Sequence, residues 1–252
     1  MDEYIAFMFS LPNPAYPNLS KLLPPMASEA VQMMFTGQKN EDLRVRTIAF
    51  IRAVERMYFS STNRSMAGTT TLDIGFGYGR FLRVMPWFTD IQNMYGIDPW
   101  DGAHNECAKT KVFGTLVRSD QRPEQLAFDE NKFDLAFAYS VFTHLTESTA
   151  QAMFEAVRRV VKPEGVFFLT VRPEEYWQMR DDLRHTKSAK GLIEQHRSKG
   201  FAFEQEGPHV EHYGNASISL DYLKRLENWD FIAYDWTYHD PWQMVVALKP
   251  RK

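Results

Sequence analysis

Cysteine is almost absent from this 252-residue chain, and Cys107 is its single representative. No internal disulfide can form, and one thiol offers no ligand set for a metal. A charge of one sign is lacking too. Lys and Arg number 29 against 32 Asp and Glu, for a formal net charge of −3. The basic residues are dispersed, whereas nucleic-acid binders gather them on one face, so no nucleic-acid partner is expected. No run approaches the roughly 18 consecutive apolar residues that span a bilayer. The opening Met1-Asp2-Glu3-Tyr4 lacks the positive stretch of a secretory signal. These absences lead to the expectation of a cytoplasmic protein with no membrane partner and no metal. Internal repeats and low-complexity tracts are missing as well. What is present is ordinary: 44% apolar and 24% charged residues, the composition of a globular protein with a sizeable core.

Residues 10–25 hold five of the thirteen prolines and are expected to form an extended arm. Helical patterning follows it. Ser28 stands where an N-cap would precede Glu29 to Phe35, Gly37 stands where that helix would end, and a second helix is expected over residues 41–59. This pair would make an N-terminal helical cap. From Thr69 the pattern changes to short β-rich runs alternating with helices, which predicts a mostly parallel, doubly wound α/β sheet. Strands are expected over 70–74, 93–98, 114–118, 133–139 and 165–171, with helices between them. Two more, over 231–238 and 243–248, are joined by the short link Tyr238-His239-Asp240-Pro241 and should form a C-terminal antiparallel hairpin. About sixty residues separate the fifth strand from that hairpin, too many for a simple crossover. Polar helices are expected there over 173–183 and 188–199, with an added hairpin from Phe201-Ala202-Phe203 and Tyr213-Gly214-Asn215. The expected organisation is one domain: arm and cap (1–60), alternating core (69–171), insertion or lid (172–218), and C-terminal helix and hairpin (219–252).

The first core strand runs directly into Gly75-Phe76-Gly77-Tyr78-Gly79 and then into the apolar Phe81-Leu82-Arg83-Val84, where a helix is expected. Alternating glycines suit a sharp backbone turn and close approach to a ligand. A dinucleotide fingerprint would place glycine at position 80, where this chain has Arg80. Asp73, just ahead of the turn, suits a cationic ligand better than a pyrophosphate, because a carboxylate repels phosphate. A nicotinamide-dependent oxidoreductase is thereby disfavoured. A tight corner without any ligand is the plainer alternative.

Leu72-Asp73-Ile74-Gly75-Phe76-Gly77-Tyr78-Gly79-Arg80 resembles the first motif of class I S-adenosylmethionine-dependent methyltransferases. Gly96-Ile97-Asp98, Ser119-Asp120-Gln121, the run from Phe133 to Leu145, and Val160-Val161-Lys162-Pro163-Glu164-Gly165 resemble later motifs of that family in the same order. The resemblance covers roughly residues 40–171, and the terminal hairpin agrees with the family's seven-stranded sheet. It implies S-adenosylmethionine as cofactor, held by Asp73, Gly75, Gly77, Gly79, Asp98, Pro99, Asp120, Gln121 and Ser140. Asp98 would accept the ribose hydroxyls, while Asp120 and Gln121 would face the adenine.

The acceptor is less legible. Asn/Asp-Pro-Pro-Tyr/Phe, usual after the fourth strand in enzymes that methylate base amino groups, is replaced by Ala138-Tyr139-Ser140-Val141. The Pro-Cys pair of cytosine-carbon enzymes is absent as well. A small molecule such as a sugar or natural-product intermediate is expected, with a hydroxyl as the accepting group. An amine acceptor and an inactive scaffold subunit are the alternatives. His144 follows the fourth strand, where ligands bind in open sheets, and is the candidate catalytic base; a histidine that only bonds backbone is the competing role. His209, His212 and Tyr213 in the insertion are weaker candidates, and a turn accounts for Asp240-Pro241. Phe7, Phe9, Tyr16 and Phe35 are expected mainly to pack. The sequence is compatible with a homo-oligomer.

Overall fold

A computed structural model describes residues 1–180, 187–206 and 213–251. The chain forms two compact units, Met1–Asp120 and Gln121–Lys252. Seven strands form one sheet in the order β3-β2-β1-β4-β5-β9-β8, and β6 pairs with β7 in a separate two-stranded sheet. The expected α/β fold, parallel but for a C-terminal antiparallel pair, is therefore present.

The first unit opens with four helices: α1 (Asp2–Phe9), α2 (Pro17–Leu22), α3 (Glu29–Thr36) and α4 (Asn40–Thr62). The arm over residues 10–25 is thus not extended throughout, since α2 lies within it. Pro17 is the reason, because its fixed φ suits the first helical position and its missing N–H costs nothing there. The ends of α3 fall where the sequence puts them: Ser28 Oγ accepts from Val31 N, and Gly37 closes the helix at φ +66. Three parallel strands follow, β1 (Thr71–Ile74), β2 (Met94–Asp98) and β3 (Thr115–Arg118), with α5 (Asp101–Lys109) between the last two.

The helix expected after the glycine turn does not form. Residues 79–84 run through irregular turns into a 3₁₀ segment, Met85–Trp87. Pro86 supplies the cause, since it has no N–H to offer Leu82 and disfavours helical geometry at Met85. Nor does a helix fill the link between β3 and β4, where Pro123 and a polar run give no apolar stripe.

The second unit holds β4 (Phe133–Ala138), α6 (Glu147–Val160) and β5 (Val161–Val171), then α7 (Glu175–Met179), α8 (Lys187–Lys199), β6 (Phe201–Gln205), β7 (Gly214–Ile218), α9 (Leu220–Lys224), β8 (Trp229–Asp235) and β9 (Met244–Pro250). β5 starts earlier than expected. Its pairing with β4 jumps from Phe133↔Val161 to Leu135↔Val166, so the turn-forming Lys162-Pro163-Glu164 is carried as a bulge inside the strand. The added hairpin is present as β6/β7, paired Phe201↔Ile218 through Gln205↔Gly214.

β4, β5 and β9 are buried almost end to end, which explains why they read as continuous apolar runs. Ala150, Met153, Phe154, Val157 and Val160 make the buried stripe of α6. Phe154 contacts Phe142 and Phe167, and Phe167 meets Trp229 at 5.5 Å between ring centroids. Trp229 is fully buried, and its Nε1 donates to Phe154 O at 3.3 Å. Trp229→Ala should therefore cost about 3–5 kcal/mol in urea unfolding, by lost burial and a cavity.

Candidate functional site

In the first unit the site candidates meet at the carboxyl ends of β1 and β2. Gly75, Gly77 and Gly79 have φ of +70, +54 and +77, all left-handed, so each glycine answers a backbone requirement. Space is short as well. A Cβ on Gly79 would lie 2.9 Å from Val112 Cγ1, and one on Gly77 would lie 3.1 Å from the Phe35 ring. The turn is pinned by Asp98. Its Oδ2 accepts from Gly77 N and its Oδ1 from Trp100 N, both at 2.9 Å, which leaves each oxygen a further lone pair. Burial raises its pKa, and the two backbone hydrogen bonds pull it back.

Asp73 is 2% exposed, and its Oδ2 has no hydrogen-bond partner. Burial pushes its pKa well above the usual carboxylate range; Arg80 opposes that shift and Asp98 adds to it. A buried acceptor lacking a donor is costly, and a ligand N–H would satisfy it. Pro99 follows Asp98 and is half-buried, whereas Asp120 and Gln121 are exposed in the loop after β3.

The N-terminal cap is attached to this turn by packing. Ala27, Leu43 and Tyr78 form a buried cluster joined by Phe9, Met26, Val31 and Phe35. Phe7 and Tyr16 pack on each other at 5.5 Å. Arg83, which is fully buried, completes the attachment with bonds to Pro25 O, Tyr78 O and Thr110 Oγ1. Sequence reasoning gave Arg83 no part, because a cation in an apolar run carries no signal of which carbonyls will meet it.

In the second unit the segment after β4 divides. Ser140 takes φ +59, an uncommon conformation for a residue with a side chain. Its N–H donates to Thr170 Oγ1 at 2.7 Å, and its Oγ accepts from Gln243 Nε2 at 2.9 Å. Asp240 does more than make a turn: it is buried, and its carboxylate accepts from Tyr139 OH.

His144 lies four residues beyond Ser140, where its Nδ1 donates to Gly214 O at 2.7 Å. That bond fixes the neutral tautomer, and Nε2 accepts from Arg172 Nη2 at 3.3 Å. Its ring stacks on Tyr213, parallel at 4.8 Å. Burial, and then the Arg172 charge, lower its pKa to about 4. His209 and His212 lie outside the described residues. Arg172 contacts His144 and is itself met by Asn215 and by the Tyr176 ring, three residues with no functional role in the sequence-based expectation. The available signal was position: Arg172 directly follows β5, the same ground on which His144 was chosen after β4.

The His144 environment has a thermodynamic signature. With a pKa near 6.5 unfolded and about 4 folded, the unfolded state binds the extra proton, so stability falls as pH drops below about 6.5. Urea unfolding of the wild type should lose about 2 kcal/mol more between pH 7 and pH 5 than His144→Gln does.

Comparisons with known proteins bear on the whole arrangement. A methyltransferase-domain family model matches residues 72–169. No curated protein matches the chain in sequence. The fold is similar to that of the PH0226 protein of Pyrococcus horikoshii OT3, at 14% identity and TM-score 0.59, over 90% of this chain and 100% of that one. It is also similar to the magnesium protoporphyrin IX methyltransferase of Synechocystis PCC 6803 with bound SAH, at 14% identity and TM-score 0.55, over 94% and 97% of the two chains. A third similar structure is the glycopeptide N-methyltransferase MtfA complexed with sinefungin, at 14% identity and TM-score 0.53, over 79% and 93%. The glycine turn and the following acid, Asp98, both lie inside the segment that matches the methyltransferase-domain model, and the three similar structures share the fold.

Proposed function

We propose that this enzyme methylates a hydroxyl of a small molecule, with the donor held at the glycine turn and the acceptor enclosed by the insertion after β5. The observation that carries the donor half is the buried Asp73 Oδ2 beside three left-handed glycines. Asp73 would meet the donor's ammonium group. Asp98, with a lone pair left on each oxygen, would accept the ribose hydroxyls, with Pro99 beside it. Asp120, Gln121 and Ser140 would border the adenine and the remainder of the donor. The bound donor supplies an electrophilic methyl on a sulfonium, so the protein's main task is alignment.

For the acceptor half, His144 is the residue we assign to the hydroxyl. Its Nδ1–H is committed to Gly214 O, so Nε2 presents a lone pair. The 3.3 Å bond from Arg172 is long and can yield to a shorter one from a substrate hydroxyl. A group with a pKa of about 4 stays unprotonated at neutral pH but retains a proton poorly. His144 therefore orients and polarises the hydroxyl rather than storing its proton, which would pass on to solvent water as the oxygen takes the methyl group and the sulfonium leaves as a neutral thioether. The same weak basicity favours, as the second reading, a neutral amine that needs no base.

Two classes of variant separate these roles. Asp73→Asn and Asp98→Asn should each weaken calorimetric binding of S-adenosylhomocysteine by about tenfold or more, the scale of a lost charge-assisted hydrogen bond. His144→Ala should leave that binding within about twofold, while slowing single-turnover methylation of a hydroxylated acceptor by about 10²-fold. Undiminished turnover in His144→Ala would remove the histidine from the chemistry and favour the amine.

A further inference from the structure

Arg172 is a buried cation whose hydrogen-bond partners are neutral. It is 8% exposed. Its Nη1 donates to Thr143 O and to Asn215 Oδ1, both at 2.8 Å, and its Nη2 donates to His144 Nε2 at 3.3 Å. A guanidinium has five N–H donors, so two are left over, and the buried Nε–H is one of those without a partner. One face of the group lies on the Tyr176 ring at 4.2 Å, and Tyr176 OH donates to the same Asn215 Oδ1 at 2.9 Å. Among the described residues no carboxylate comes within ion-pair distance of Arg172. Asp240 acts on it only at longer range, and Arg180, a second cation nearby, is itself paired with Glu204 at 2.5 Å.

Buried charges are ordinarily paired, because desolvation is otherwise uncompensated. Here four elements converge on one cation, and none brings an anion to it. His144 comes from the loop after β4, Arg172 from the end of β5, Tyr176 from α7 and Asn215 from β7. The neutral histidine adds no charge to the cluster. Tyr213 and His144 are partly exposed, so the guanidinium lies just behind a polar, aromatic surface rather than deep within the apolar core. The planar fork of an arginine suits two oxygens of one oxyanion, and a stacked aromatic holds that fork in orientation.

We infer that Arg172, framed by His144, Tyr176 and Asn215, binds an oxyanion of the methyl acceptor, so that the substrate is a small molecule bearing a carboxylate, phosphate or phosphonate group. This rests on the proposed methyl transfer at His144 and specifies the substrate class for it. The anion takes the Nε–H and the remaining Nη2–H, and the accepting hydroxyl replaces the long Arg172 contact at the single His144 Nε2 lone pair. A carboxylate could also come from the donor's own methionine moiety, and the test distinguishes the two sources.

Inorganic phosphate is the probe, titrated into protein saturated with S-adenosylhomocysteine while the Arg172 Nε–H resonance is followed by NMR. Phosphate should shift that resonance saturably and bind at least tenfold more weakly to Arg172→Gln. Asn215→Asp, which keeps the arginine and supplies a carboxylate to Nη1, should weaken phosphate binding as well, so the result does not depend on a variant that removes a buried side chain. S-adenosylhomocysteine affinity should stay within twofold in both variants. An Nε–H unmoved by phosphate in protein that still binds S-adenosylhomocysteine would overturn the oxyanion site and leave the methyltransferase reading standing. A tenfold loss of S-adenosylhomocysteine affinity in Arg172→Gln, with phosphate competing for the same site, would assign the guanidinium to the donor's carboxylate and overturn the acceptor class. Wild-type protein that binds no S-adenosylhomocysteine would overturn the donor site on which the inference rests.

Discussion

The hydrogen bond from Gly77 N–H to Asp98 Oδ2 is the constraint on which the first unit depends. It couples the end of β2 to the middle of the turn that leaves β1, and so fixes a reversal in which Gly75, Gly77 and Gly79 all take left-handed backbone. Only residues without Cβ adopt that conformation at little cost. The same carboxylate accepts from Trp100 N and so holds the start of α5. One side chain therefore sets the geometry of the turn and of the helix beyond it, and its charge also acts on the buried Asp73 carboxyl. The cap follows from the turn, because Tyr78 and Arg83, both within or just after it, are the groups that bind α3, α4 and the arm.

The second unit is organised by a different balance. His144 and Arg172 share one hydrogen bond, and the Arg172 charge lowers the imidazole's tendency to carry a proton. Burial is the larger cause for both residues. The result is one fixed positive charge beside one neutral lone-pair donor, at neighbouring strand ends. That combination suits recognition of a negatively charged molecule with a hydroxyl to be oriented. It suits strong base catalysis poorly, because Arg172 disfavours the imidazolium.

Much of this was legible because it is local. Residues 71–74 and 94–98 are short apolar runs that lead into a glycine turn and an acid, and the physical reason for those residue types is visible within a few positions. The caps of α3 were readable from Ser28 and Gly37 for the same reason. The segment after Gly79 was misread because its apolar pattern is helical while Pro86 forbids the helix, and the local veto outweighs the periodicity. Arg83 and Arg172 were illegible for a different reason. Their partners lie up to 58 and 43 residues away, and Asn215 reaches Arg172 only because β6 and β7 pair in one register. The exposure of Asp120 could not be read from its motif position either, since the loop after β3 has no periodicity.

The most direct measurement is an amide-resolved NMR titration with S-adenosylhomocysteine. The account predicts saturable shifts concentrated at Gly75 to Gly79 and at Asp98 to Trp100, with NADH producing none of them. No binding, shifts confined to other regions, or the same perturbations from NADH would contradict it.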